Sequence, residues 1–157
     1  MTIDTDLDRF RQHLDAGPSA TAQLRDWSRG DVRLGRVRRR LRRAAPEEAA
    51  LVDLPRRTTV QHRVVALVSP SGVVLSHAVA VVVLGRLPLA AVMALVCTRR
   101  PLGDVLRAAG GFERTAISER VSTGSEVVLR RMAVLHLAGR PVAVVHEVYP
   151  HHVLRWR

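Results

Sequence analysis

The stretch from Arg130 to Pro150, RRMAVLHLAGRPVAVVHEVYP, constrains the fold more than any other part of this chain. Two apolar runs flank a tight turn at Ala138-Gly139-Arg140, so the stretch reads as a β-hairpin. The second run is almost entirely Val and Ala, and one acid, Glu147, interrupts it. A carboxylate there is costly to bury unless a cation or a donor meets it. Arg130 and Arg131 open the partner strand, and Arg63 sits on an earlier strand of similar character, so all three are candidate partners. The residues alone leave three readings open: a functional acid with arginines converging on it, a structural ion pair, or a Glu turned to solvent from an edge strand.

With 157 residues, the chain is expected to form one domain with a real core. Hydrophobic residues make up 47% but aromatic ones only 3%, so that core must be Val, Leu and Ala. A sheet with a few helices packed on it suits such a composition. The net charge is +11, and all 25 basic residues are Arg. The absence of Lys excludes Schiff-base chemistry, pyridoxal phosphate attachment and a P-loop lysine. The charge implies an anionic partner: nucleic acid, a membrane surface or a small polyanionic substrate. The single cysteine, Cys97, rules out an intramolecular disulfide and a Cys-rich zinc site, and its apolar surroundings predict a small core residue. The opening MTIDTDLDRF is acidic and polar, not a signal peptide, so a cytoplasmic location is expected. The apolar run from Gly72 to Val96 is interrupted by His77, Arg86 and Pro88, which predicts a strand and then a helix rather than a membrane span.

Along the chain, Ile3, Leu7, Phe10 and Leu14 recur at helical spacing, Gly17-Pro18 breaks that helix, and Ser19 is placed to cap a second one reaching about Trp27. Val32 to Arg43 holds seven arginines in twelve positions. It fits a helix with Leu34, Val37 and Leu41 on one face, or a solvated edge strand whose charges block edge-to-edge pairing. A short turn or helix starts at Ala45-Pro46. A hairpin follows, Thr58 to Val68 and Val73 to Leu84, turning at Ser69-Pro70-Ser71-Gly72. Two helices come next, Leu87 to Val96 and Asp104 to about Ala109, then a strand from Phe112 to Ser122, a turn at Thr123-Gly124-Ser125, and the final hairpin. The order predicts an α+β antiparallel sheet with helices grouped on one face.

A metal site is not expected. His146 and Glu147 are adjacent on a strand and point to opposite faces, and His151-His152 reads as part of a solvated basic tail from 151 to 157. There is no Gly-x-Ser-x-Gly elbow and no readable Cys-His pairing, and Gly110-Gly111 is no phosphate loop. What remains is an apolar sheet carrying one Glu and several Arg, a plausible site for a small dicarboxylate.

These residues resemble the chorismate pyruvate-lyase family, particularly its short actinobacterial chorismate-lyase-like branch. Five pieces match in order: GPSATAQL at Gly17 to Leu24, QHRVVAL at Gln61 to Leu67, Pro101-Leu102-Gly103 leading into a helix, the pair Arg130-Arg131, and PVAVVHE at Pro141 to Glu147. The match covers roughly Gly17 to Pro150, after an N-terminal helix within 1–16. The resemblance implies a sheet flanked by helices, a ligand enclosed beneath a helical flap, and conversion of chorismate to 4-hydroxybenzoate and pyruvate without metal or cofactor. It implies that Arg63 binds a substrate carboxylate, that Glu147 sits at the hydroxyl end, that Leu102 and Gly103 face the ligand, and that Ala20 is a flap contact. A carboxylate at the far end of the ring would need Arg131, Arg130 or backbone amides. Glu147 would orient the ring hydroxyl or relay the proton, with a pKa raised by its valine surroundings. Many members carry a second arginine on the strand after the first hairpin; here Ala78-Val79 stands in that place and the nearest polar residue is His77. Two other functions fit the same residues. One is a lyase-like enzyme acting on another aromatic acid. The other is a non-catalytic aromatic-acid sensor of the same fold, as in one bacterial regulator family whose members carry a winged helix ahead of the sensor; the residues before the first strand are too few for that module. Nucleic acid, membrane and cofactor are not expected partners, and the oligomeric state is left open.

Overall fold

The computed structural model describes residues 3–122 and 126–156. The turn expected at Thr123-Gly124-Ser125 lies outside the described residues. Helices α1 (Ile3–Asp15) and α2 (Ala20–Ser28) come first, then strand β1 (Arg33–Arg43) and the short helix α3 (Pro46–Leu51). The first hairpin is β2 (Thr59–Val68) and β3 (Val74–Val82). Helices α4 (Leu89–Cys97) and α5 (Leu102–Ala108) follow, then β4 (Glu113–Val121), β5 (Val127–Leu137) and β6 (Arg140–Pro150).

Local chemistry sets the element ends. Ser19 caps α2, its hydroxyl accepting from the Ala22 amide at 3.1 Å. The arginine-rich run forms an edge strand, not a helix. It pairs antiparallel with β2 along most of its length, with a bulge between Leu34 and Arg36. Gly35 fills that bulge because a Cβ there would come within 2.7 Å of Val68 Cγ1. The last hairpin turns on two residues, Ala138 and Gly139, at φ 50° and 75°, so Arg140 already belongs to β6.

The six strands lie in the order β1-β2-β3-β6-β5-β4, and every neighbouring pair is antiparallel. The α4, α5, β4 and β5 segments are inserted between β3 and β6, which pair at the centre of the sheet. Alternation then divides the side chains. On the front face, Phe10, Leu14 and Leu24 of α1 and α2 pack with Leu67, Leu129 and Tyr149. On the same face, Leu95 and Leu106 of α4 and α5 pack with Ala80, Val82, Leu135 and Ala143. The expectation of helices on one face therefore holds for these four. The chain just after α3 covers the back instead, with Val52 against Val60, Val81, Val134 and Val144.

Two expectations are corrected. The segment after β6 is not a solvated tail: residues 151–155 form a 3-10 turn with Val153 and Leu154 buried, and the Trp27 indole donates to the Val153 carbonyl at 2.9 Å. Apolar neighbours in sequence had hidden the second error. Cys97 is exposed at the end of α4, because Leu95 and Ala91 take that helix's inward face. No helix among the described residues is long and apolar enough to cross a membrane.

Candidate ligand-binding site

Between the two front-face clusters the sheet is left partly uncovered, and a cavity of about 70 Å³ forms there. Its floor is made of small side chains, Ala78 and Ala80 of β3, Ala133 of β5 and Val145 of β6. The N-terminal ends of α2 and α5 close it, with Ser19, Ala20 and Thr21 from one and Pro101, Leu102 and Gly103 from the other. These two helix ends are in close contact. A Cβ on Gly103 would stand 2.9 Å from Ser19 Cβ, so only glycine lets α5 come this near. A bidentate pair, Arg25 to Asp104 at 3.2 and 2.9 Å, ties the helices together. The space is below the roughly 300 Å³ at which drug-sized sites begin. A ligand must therefore be compact, or its admission must move α2 outward.

Arg63 and Glu147 both line this cavity, as do Ala20, Leu102 and Gly103. Arg63 is buried, with 1% of its surface exposed. It donates to the Leu95 carbonyl at 2.8 Å, to Gln61 Oε1 at 3.1 Å and, at 3.4 Å, to the Arg100 carbonyl. All three acceptors are neutral, and no carboxylate lies within ion-pair distance of it among the described residues. Burial, reinforced by the nearby charge of Arg39, pushes its pKa down to about 10.

Glu147 is half-buried and accepts from the Tyr149 hydroxyl at 3.0 Å. Tyr149 is fully buried, two residues on along the same strand face, and sequence reasoning passed over it although the period of two put it there. Burial raises the Glu147 pKa against the opposing charge of Arg114, the Tyr149 hydrogen bond and the charge of Arg131. The same burial, together with Glu147, holds the Tyr149 hydroxyl well above the usual phenol range.

The structure does not bring the pair Arg130-Arg131 into the cavity with Arg63 and Glu147. Arg131 stands opposite Glu147 in the β5–β6 register, but its guanidinium is bound to Asp15 at the end of α1 and, at 3.1 Å, to Glu119 of β4. It does not line the cavity. Its Nη1 is buried and has no partner among the described residues. Arg130 alternates to the back face and is exposed. The cation that sequence reading missed is Arg114 on β4, which does line the cavity. Ala78 sits on the floor beside Glu147 and His77 faces the other side, so neither supplies a second charge.

The raised Glu147 pKa gives a signed prediction. A carboxyl that holds its proton more tightly when folded stabilises the fold at low pH, and that contribution is lost as pH rises through its folded-state pKa. Glu147→Gln keeps an acceptor for Tyr149 and removes the charge. Its melting temperature is expected to match wild type near pH 4 and to exceed it increasingly toward pH 8. A pH-independent offset between the two would show that the carboxylate's charge is already compensated.

Comparison with solved structures places this geometry. A protein classed with the GntR-family transcriptional regulators aligns with a TM-score of 0.58 at 18% identity, over 82% of this chain and 60% of its own. The chain thus spans less than two thirds of that protein's length. The C-terminal domain of PhnF aligns with a TM-score of 0.52 at 15% identity, over 76% of this chain and 81% of that one. The fold is chorismate lyase-like. The ligand-binding domain of a protein classed as a GntR-family regulator, from Bordetella bronchiseptica, shares this chorismate lyase-like architecture with a TM-score of 0.50 at 20% identity, over 76% of this chain and 83% of that one. At these identities the likeness concerns the fold. No protein-family model matches the chain, and no curated protein sequence does.

Proposed function

We propose that this chain is a small-molecule binding domain that recognises a compact anionic ligand, in the manner of a sensor. The observation that carries the reading is Arg63: a buried cation facing a cavity, with only neutral acceptors around it. A buried charge of this kind is costly without a counter-ion, and a ligand carboxylate or other anion supplies one. The likeness to a regulator's ligand-binding domain supports the same reading. A non-covalent sensor needs nothing more than the anion site, the apolar floor and the enclosing helices.

A second reading is the lyase itself, and one observation favours it. Arg63, Glu147, Ala20, Leu102 and Gly103 line a single cavity, which is the arrangement the family resemblance requires. Chorismate would place a carboxylate at Arg63, and Glu147, with its raised pKa, would orient the ring hydroxyl or relay a proton as enolpyruvate leaves.

One experiment separates the two. The protein is titrated calorimetrically with chorismate and with 4-hydroxybenzoate, and the chorismate samples are then analysed for pyruvate. Binding without pyruvate is the result expected of a sensor. Pyruvate and 4-hydroxybenzoate in equal amounts would establish the lyase, and Glu147→Gln should then cost turnover more than binding. Failure of these and simpler carboxylates to bind would overturn the anion reading altogether.

A further inference from the structure

The cavity has a second charged end. Arg114, on the edge strand β4, lines it, and its side chain is 18% exposed. Its Nη2 donates to the Leu14 carbonyl at 2.7 Å, a neutral acceptor. The nearest carboxylate, Asp15, stands 3.8 Å away, is 57% exposed and is already bound to Arg131. Arg114 is thus a well-enclosed cation whose charge is only loosely matched.

Arg63 and Arg114 stand on strands separated by four steps of the sheet. Along a flat sheet that is roughly 19 Å between backbones, and two long side chains reaching inward shorten the gap to the scale of a small molecule. Between them the floor is Ala80, Val145 and Ala133 in direct register, with Ala78 alongside. Such a floor takes a flat apolar body, with Glu147 beside Ala78 at its edge.

We infer that Arg114 is a second anion-binding residue of this pocket, and that the ligand carries two acidic groups at opposite ends of a compact apolar body. The inference rests on the reading that Arg63 takes an anion, and it adds the ligand's valence and the residue that reads it. It has a further consequence. Arg114 exerts the largest charge effect holding down the Glu147 pKa. An anion seated on Arg114 offsets that charge and moves the Glu147 pKa further up, so at a pH where this carboxylate is charged the ligand binds with proton uptake.

The test is calorimetric titration of the intact chain with benzoate and with benzene-1,4-dicarboxylate, each in buffers of different ionisation enthalpy. The dicarboxylate is expected to bind about tenfold or more tightly, the size of one charge-assisted hydrogen bond, and to bind with net proton uptake. In Arg114→Gln the ratio of the two affinities should fall to near one and the uptake should shrink; Arg114→Lys should recover both in part. If wild type binds the two probes equally, with Arg63 still required for benzoate, this inference fails while the anion reading stands. A dicarboxylate preference that survives in Arg114→Gln also overturns it. If neither probe binds, the anion reading falls and this inference falls with it.

Discussion

Replacing Arg63 with methionine is expected to abolish anion binding and to leave the fold as stable as wild type or more so. The lowering of its pKa to about 10 corresponds to roughly 3 kcal/mol of penalty on the charged form. Methionine removes that penalty and fills much of the same volume with an adaptable apolar chain. The hydrogen bonds lost are cheap. The Leu95 carbonyl still accepts from Arg39 at 2.7 Å; Gln61 Oε1 loses its donor, at about 1 kcal/mol, and the Arg100 carbonyl loses only a long contact of 3.4 Å. The net expectation is a gain of about 1–2 kcal/mol, or a rise of a few degrees in melting temperature. Benzoate affinity should fall by about a hundredfold or more, since the counter-charge is gone. Stability gained while binding is lost is the signature of a residue kept for a ligand. A variant that melts far below wild type and still binds benzoate would make Arg63 a structural group.

Much of this architecture is legible in the sequence. The final hairpin, the hairpin turning at Ser69 to Gly72, the Ser19 cap and the α+β class follow from alternation, turn chemistry and capping, all of them local. The run from Val32 to Arg43 was not decidable, because Leu34, Val37 and Leu41 satisfy both a helical face and a half-exposed strand. What decides it is the ladder with β2, a partner some two dozen residues away. Arg63 and Glu147 stood out because a charge inside an apolar strand is locally anomalous. Arg114 gave no such signal. In ERTAISERV it is one charge among several, and its value comes from α1 and the cavity, which only the topology brings to it. Arg131 failed in the opposite way. It has the right strand, face and register, but Asp15 and Glu119 hold its guanidinium, and neither acid is its sequence neighbour.

The flap over the site depends on one aromatic contact set, and Phe10→Ala is expected to show it. Phe10 is fully buried and meets Trp27 of α2 edge-on at 5.1 Å and Tyr149 of β6 edge-on at 5.3 Å. It therefore links α1, α2 and the strand that carries Glu147, whose carboxylate Tyr149 holds at 3.0 Å. Truncation should cost about 3–5 kcal/mol in denaturant unfolding, the range for a buried Phe. The loss should not be uniform. Backbone amides of α1 and α2 are expected to exchange hydrogen faster by a larger factor than those at the centre of β5 and β6, because the helices lose their anchor while the ladder keeps its hydrogen bonds. Phe10→Leu, which keeps most of the volume, should show the same pattern at about 1–2 kcal/mol if the alanine variant does not fold. Equal acceleration in helices and sheet would mean that α1, α2 and the sheet unfold as one unit. The cavity would then admit its ligand without the flap lifting separately.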